Sequence, residues 1–279
     1  MVSEGATLRK LQILELKILL EFKRICERHN LQYFLIGGTL LGAVRHRGFV
    51  PWDDDIDVGM MRSEYIKFLN VCKDELSQEY TLQTFETDRT YAHPFAKIRL
   101  VGTEYPEPKY KAVSDQRGIW MDIFPFDSTP SNRLLRDIHR FRLMTIIHMC
   151  EIKYNYTVEP STLLRRVLYL GLRWFSRPFS RTWLENRREY LFQKYNRENP
   201  GSYIYSTLCC FPSEAFEQFV ELEFEGIKFP VPAGYTDCLT CAFGDYMSIP
   251  PKNKRIRHTP HAPNFGKYAD ICSVDEIRD

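Results

Sequence analysis

The sequence lacks any uninterrupted apolar run of the ~18 residues that a membrane-crossing helix requires, so no such helix is expected. It also lacks a surplus of either charge. The 38 Lys and Arg against 36 Asp and Glu leave a net charge of +2, too small for a general nucleic-acid binder, and no nucleic-acid partner is expected. Low-complexity tracts and internal repeats are missing, which excludes disordered and fibrous forms. The opening residues MVSEGATLRKLQ show no charged-then-apolar leader layout, and the chain reads as cytoplasmic. Cysteine is sparse: eight residues at irregular positions do not form the framework of a secreted domain. Cys238 and Cys241 make a C-x-x-C that Cys209 and Cys210 could extend to four thiolates. Two adjacent cysteines suit tetrahedral ligation poorly, and structural zinc is not expected.

What remains is an ordinary globular composition, 44% hydrophobic and 27% charged over 279 residues, enough for a sizeable core. Leu8, Leu11, Ile18, Phe22 and Ile25 recur at helical spacing from Thr7 to about His29 and predict an amphipathic helix lying across a sheet. Tyr33 to Ile36 read as a strand that stops at Gly37-Gly38, with a helix capped by Thr39 behind it. A second strand is expected from Gly118 to Phe124, ending at Pro125. Helices follow over 134–152 and 163–195, the latter broken at Pro178, then a short strand pattern over 224–229. The fold class expected is α/β (α+β): a mixed sheet flanked by helices, with a helical insertion. Residues 1–128 would form the catalytic core, 129–200 the insertion and 201–279 a part that completes the core and the site.

The chemistry concentrates in Asp53-Asp54-Asp55-Ile56-Asp57-Val58. Ile56 and Val58 alternate with acids as on a strand with one buried face, so Asp55 and Asp57 project to the same side. Like charges set among apolar residues call for a counter-cation. Mg²⁺ takes one or two carboxylates together with phosphate oxygens and water, with Mn²⁺ as the alternative ion. Asp122, between Met121 and Ile123, supplies a third carboxylate from the second strand. Gly37, Gly38 and Thr39 at a helix start offer N–H groups and a hydroxyl to phosphate. Lys97 is the first choice for a cation near the departing oxygen, with Arg45, His46 and Arg99 also near in sequence. A calcium loop is the rival reading, since Asp53, Asp55, Asp57 and Glu64 keep its spacing. Val58 stands where that loop needs glycine, and no helix leads in.

The stretch FLIGGTLLGAVRHRGFVPWDDDIDVGM, Phe34 to Met60, closely resembles the signature of the LicD family, which includes bacterial phosphocholine transferases and, more distantly, fukutin-related protein. RSEYIKF, FAKIRL, GIWMDIFPFD and FGDYMSIPP follow in the family's order, with Phe243 where members commonly carry Tyr. The resemblance implies a nucleotidyltransferase-like fold, Mg²⁺ dependence and transfer of phosphocholine from CDP-choline, or of another CDP-linked alcohol phosphate, to a sugar of teichoic acid, lipopolysaccharide or a similar glycan, with release of CMP. It maps the acidic motif onto Asp53, Asp55 and Asp57 and the third carboxylate onto Asp122. A plain nucleotidyltransferase and a non-catalytic metal-binding scaffold are the alternatives.

Trp52, Trp120 and Tyr246 are candidate walls for a trimethylammonium group. His258, in the basic loop KNKRIRHTPHAP, is a candidate nucleotide contact. Between Ser161 and Tyr195, eight Arg and Lys against two Glu are interleaved with Leu168, Leu172, Trp174, Phe175 and Trp183. Such a segment either lies on an anionic membrane, placing the enzyme peripherally at its inner face beside a lipid-linked glycan, or packs on the core with its arginines reaching to water.

Overall fold

A computed structural model describes residues 4–105, 117–154, 162–197, 202–204, 209–255 and 263–277. Helix α1 (Glu4–Arg28) presents Leu11, Leu14, Ile18, Phe22 and Ile25 to the core, and the chain turns at Asn30 into β1 (Phe34–Leu35). Helix α2 (Gly37–His46) follows at once. Its N-cap is Ile36, not Thr39 as the sequence suggests. Gly37, at φ +55, lets the helix begin three residues earlier, and the Thr39 hydroxyl accepts the Asp57 N–H at 2.9 Å. Thr39 therefore ties α2 to the next strand, β2 (Asp57–Met61).

After α3 (Arg62–Glu75) come β3 (Tyr80–Gln83), β4 (Ala96–Leu100) and the long β5 (Trp120–Thr129). The strand order is β1-β2-β5-β4-β3, with β2 and β5 parallel and the other pairs antiparallel. Such a mixed sheet under α1 and α3 bears out the α/β expectation.

β5 runs straight through Pro125, where the sequence reading ends it. Asp122 donates its N–H towards β2, so Pro125, three positions on, turns its nitrogen to the opposite edge. On that edge β4 pairs only as far as Ile123 and the short strand β6 (Ser202–Ile204) begins at Asp127. The missing donor falls in the gap between them.

The insertion consists of α4 (Arg133–Lys153), α5 (Leu163–Phe175) and α6 (Arg181–Gln193). Leu143, Ile146, Met149 and Cys150 of α4 pack against Leu184, Leu191 and Phe192 of α6 in a separate small core. Arg62 of α3 bridges this layer and the sheet: it donates to Asp127 of β5 from Nε and Nη2 at 2.9 and 2.5 Å and to Glu189 of α6 from Nη1 at 3.1 Å.

Strand β7 (Cys210–Pro212) leads to the hairpin β8 (Phe219–Phe224) and β9 (Ile227–Pro232), then to α7 (Tyr235–Phe243). The single strand expected over 224–229 is instead this hairpin's reversal. Glu225 and Gly226 both take positive φ, 52° and 75°, as a two-residue turn with right-handed twist requires. The Glu225 carboxylate receives a two-pronged ion pair from Arg9 and the Phe49 N–H, fastening the hairpin beside α2.

Candidate active site

Sheet register alone assembles a row of polar side chains. Asp57 of β2 lies opposite Asp122 of β5, Asp122 opposite Lys97 of β4, and Lys97 opposite Gln83 of β3. Register partners share a face, so all four project together across strands spaced about 4.8 Å apart. Lys97, only 2% exposed, donates to Asp122 Oδ1 at 2.6 Å, and its ammonium stands 4.6 Å from the centre of the Trp120 ring. The ion pair and the aromatic face together offset the cost of burying this cation.

On the open side of Asp57 lies a cleft of about 520 Å³. Gly37 and Gly38 at the start of α2 form one wall with Asp53, Asp55 and Asp57, while Arg45, Asp245, Tyr246 and Lys254 line the rest. The odd-numbered acids reach the cleft while Asp54, Ile56 and Val58 are buried, which is the alternation the sequence shows. Asp54 accepts the Tyr105 hydroxyl at 2.9 Å, and the Asp53 carbonyl accepts from Gln12 at 3.0 Å. The acidic loop is thus pinned from behind by α1 and Tyr105.

The two glycines are required by the carboxylates. A Cβ on Gly37 would stand 2.8 Å from Asp57 Oδ2, and one on Gly38 would overlap the Asp53 carboxylate. Both acids therefore press onto the N-terminus of α2, where the helix dipole favours negative charge.

Carboxylate oxygens of Asp53, Asp54 and Asp55 lie within 4.8 Å of one another, close enough to share an ion. Beneath them Glu15 of α1 is 1% exposed, and its Oε2 has no hydrogen-bond partner among the described residues. Burial pushes its carboxyl well above the ordinary range, and Asp55, Asp54, Asp53 and Asp122 push it the same way. An orphaned buried acid under a ring of carboxylates fits a divalent cation. Asp53, Asp55 and Asp57 would face it from the cleft, with Asp122 beside them. Gly38→Ala is then expected to lower the affinity for Mn²⁺ roughly tenfold or more by displacing Asp53. Unchanged affinity in a calorimetric titration would remove Asp53 from the cation site.

Other sequence candidates are dispersed. Arg45 lines the cleft and donates to the Tyr246 carbonyl at 2.6 Å, while burial lowers the pKa of the neighbouring His46, with the Arg45 charge adding to it. Trp52 and Tyr246 line the cleft. Trp120 does not: it is buried beneath Lys97 and stacked on Tyr105 at 5.1 Å. Arg255 covers the Trp52 ring at 4.4 Å. The calcium-loop alternative is overturned, because the acids run into strand β2 and Glu64 turns away to pair with Lys67. His258 lies outside the described residues.

Sequence reasoning passed over Glu15, Gln12 and Lys254. Glu15 did leave a signal: it fills the gap between Leu11 and Ile18 in the apolar stripe of α1, a position where a carboxylate has no solvent.

Comparison with known proteins agrees with this geometry. A family model described as LicD/FKTN/FKRP, nucleotidyltransferase domain, matches residues 30–142. The lipopolysaccharide cholinephosphotransferase LicD of Haemophilus influenzae is 32% identical over 263 residues, spanning 90% of this chain and 96% of that protein. Human ribitol 5-phosphate transferase FKRP is 47% identical over 36 residues, 13% of this chain and 7% of its own length. An uncharacterized protein of Rickettsia typhi is 48% identical over 44 residues, 16% of this chain and 14% of its own length. A likeness at this identity over nine-tenths of the chain, on a sheet that carries the acidic motif, establishes that the chain belongs to the LicD family.

Proposed function

We propose that this chain transfers phosphocholine from CDP-choline to a hydroxyl of a cell-surface glycan of the lipopolysaccharide or teichoic acid type, releasing CMP. The observation that carries the reading is the cleft's mixed charge: Asp53, Asp55 and Asp57 line it together with Arg45 and Lys254, beside the N-terminus of α2. A diphosphate bound with Mg²⁺ would need both kinds of group, acids to hold the metal and cations plus N–H groups for the remaining phosphate charge. The ion would neutralise charge on the diphosphate oxygens.

In the transfer, the acceptor oxygen forms a bond to the phosphorus that carries choline as the bond to the CMP oxygen breaks, and the hydroxyl proton passes to a base. Lys97 donates to Asp122 Oδ1 and orients that carboxylate within the row begun by Asp57, where Asp122 would ligate metal or take that proton. Lys97 therefore acts through Asp122. Arg45 and Lys254 are the cations that line the cleft and would meet the departing phosphate. Tyr246 and Asp245 offer a ring and a charge to the trimethylammonium; Trp52 is less suited, since Arg255 already occupies a face.

The short similarity to FKRP favours a second reading in which the cargo is another CDP-linked alcohol phosphate such as ribitol phosphate. Purified protein with Mg²⁺ should release CMP from one of CDP-choline, CDP-ribitol or CDP-glycerol in the presence of a glycan extract, and chelation by EDTA should abolish release. Pyrophosphate released from CTP and an alcohol phosphate, with no CMP from any CDP-alcohol, would identify a plain nucleotidyltransferase instead. Silence with all three donors despite nucleotide binding would defeat the proposal.

A further inference from the structure

The most water-exposed apolar surface among the described residues lies on the helical insertion, far in character from the cleft. Along α5, Leu163, Val167, Leu170 and Trp174 recur at i, i+4, i+7 and i+11 and are 53–80% exposed. Leu164, Leu168 and Phe175 widen the stripe and are equally open. In a helix of a water-soluble domain such an arc faces the core. Here α5 is fastened mainly by Leu172, which packs against the α4–α6 core, and the apolar arc is left outside. Helix α4 repeats the pattern: Leu143, Ile146 and Cys150 are buried, while Leu134, Ile138 and Phe141 form a second, exposed stripe. Exposed Phe175 and Trp183 flank the half-buried Phe179, with successive ring centres 5.8 and 4.5 Å apart.

Charge identifies the occupant. Residues 162–184 hold five arginines and no acid, in a chain whose overall net charge is only +2. Arg166 and Arg173 lie on the polar arc of α5, and Arg166, Arg173, Arg177 and Arg181 are exposed. An apolar arc flanked by arginines, on a helix too short and too charged to cross a bilayer, fits the boundary between headgroups and acyl chains of an anionic membrane. A second copy of the chain fits less well, because a self-complementary contact would set the same arginines against each other.

We propose that α5, with the exposed stripe of α4 and the Phe175–Trp183 aromatics, is a peripheral docking surface for anionic lipid bilayers. The apolar arc enters the interface while the arginines meet lipid phosphates. This inference stands on the insertion and does not depend on the donor or acceptor assigned to the cleft.

The test is flotation of the full chain with vesicles of phosphatidylcholine alone and of phosphatidylcholine mixed with phosphatidylglycerol. The wild type should float with the anionic vesicles, less so at high salt, and only weakly with the neutral ones. Leu170→Ser/Trp174→Ser should cut the partition coefficient roughly tenfold or more, since both side chains lose favourable burial. Both positions are exposed, so circular dichroism should show an intact fold. Bromine-labelled acyl chains should quench tryptophan fluorescence in the wild type, and much of that quenching should vanish in Trp174→Phe, which still floats. No flotation, or equal flotation with both vesicle types, overturns the proposal. A concentration-dependent dimer that the double variant abolishes, without vesicle binding, overturns it in favour of self-association.

Discussion

Asp57→Asn is expected to lower kcat by about three orders of magnitude or more while leaving thermal unfolding nearly unchanged. The side chain lines the cleft, presses on the start of α2 through Gly37 and begins the row that continues to Asp122. Replacing one carboxylate oxygen by an amide nitrogen keeps the volume and removes the charge that would face the metal. It also relieves repulsion among neighbouring acids, which offsets the lost interaction with the helix dipole. Steady-state CMP release and a melting curve on the same preparation decide the matter. Wild-type turnover in this variant would sink the proposed site; a large drop in the melting temperature would mean that Asp57 serves the fold first.

A second large effect is expected away from the cleft. Arg62→Met should destabilise the chain by about 3–5 kcal/mol, because it strands Asp127, which is fully buried. For a domain of this size the melting temperature should fall by roughly 10 °C. Asp127 would keep its bond from Asn196 Nδ2, at 2.7 Å, but lose the cation that balances its charge. Adding Asp127→Asn to Arg62→Met removes the stranded charge and should restore much of the loss. Thermal unfolding followed by circular dichroism measures both. A single variant within a degree or so of the wild type would show that Asp127 does not depend on the Arg62 charge.

Much of this architecture is legible in the sequence because its signals are local. The 3.6-residue stripe of α1, the alternation of acids with Ile56 and Val58, and the break near Pro178 all depend on neighbours a few positions away. What was misread depends on distant partners. Thr39 looks like a cap but is claimed by the Asp57 N–H across the sheet. Pro125 looks like a strand end, and is harmless only because β4 stops short and β6 starts late. Glu15 stands out only as an acid within the apolar stripe of α1, and the four aspartates that act on it come from distant parts of the chain. Trp120 seems a ligand wall until Lys97 settles on its face. The exposure of α5 is equally invisible in sequence, since an amphipathic pattern says that one side is apolar and not what covers it.

The parallel pairing of β2 with β5 bears on how the chain comes to be made. Arg62 and Asp127, the pair that continues its register, are 65 residues apart, while the acidic loop and Gly37-Gly38 lie well upstream of β5. Loop closure over such a separation is slow compared with the formation of α1 or α2. During synthesis, which adds about 5–20 residues per second, the ribosome would display the four crowded aspartates for several seconds before the strand bearing Asp122 emerged. Over that interval β2 lacks its parallel partner, and the strong charge of the segment discourages premature pairing of β2 with a wrong edge. The proposed cation site would thus be a late product of folding, finished only when the central strand pair closes.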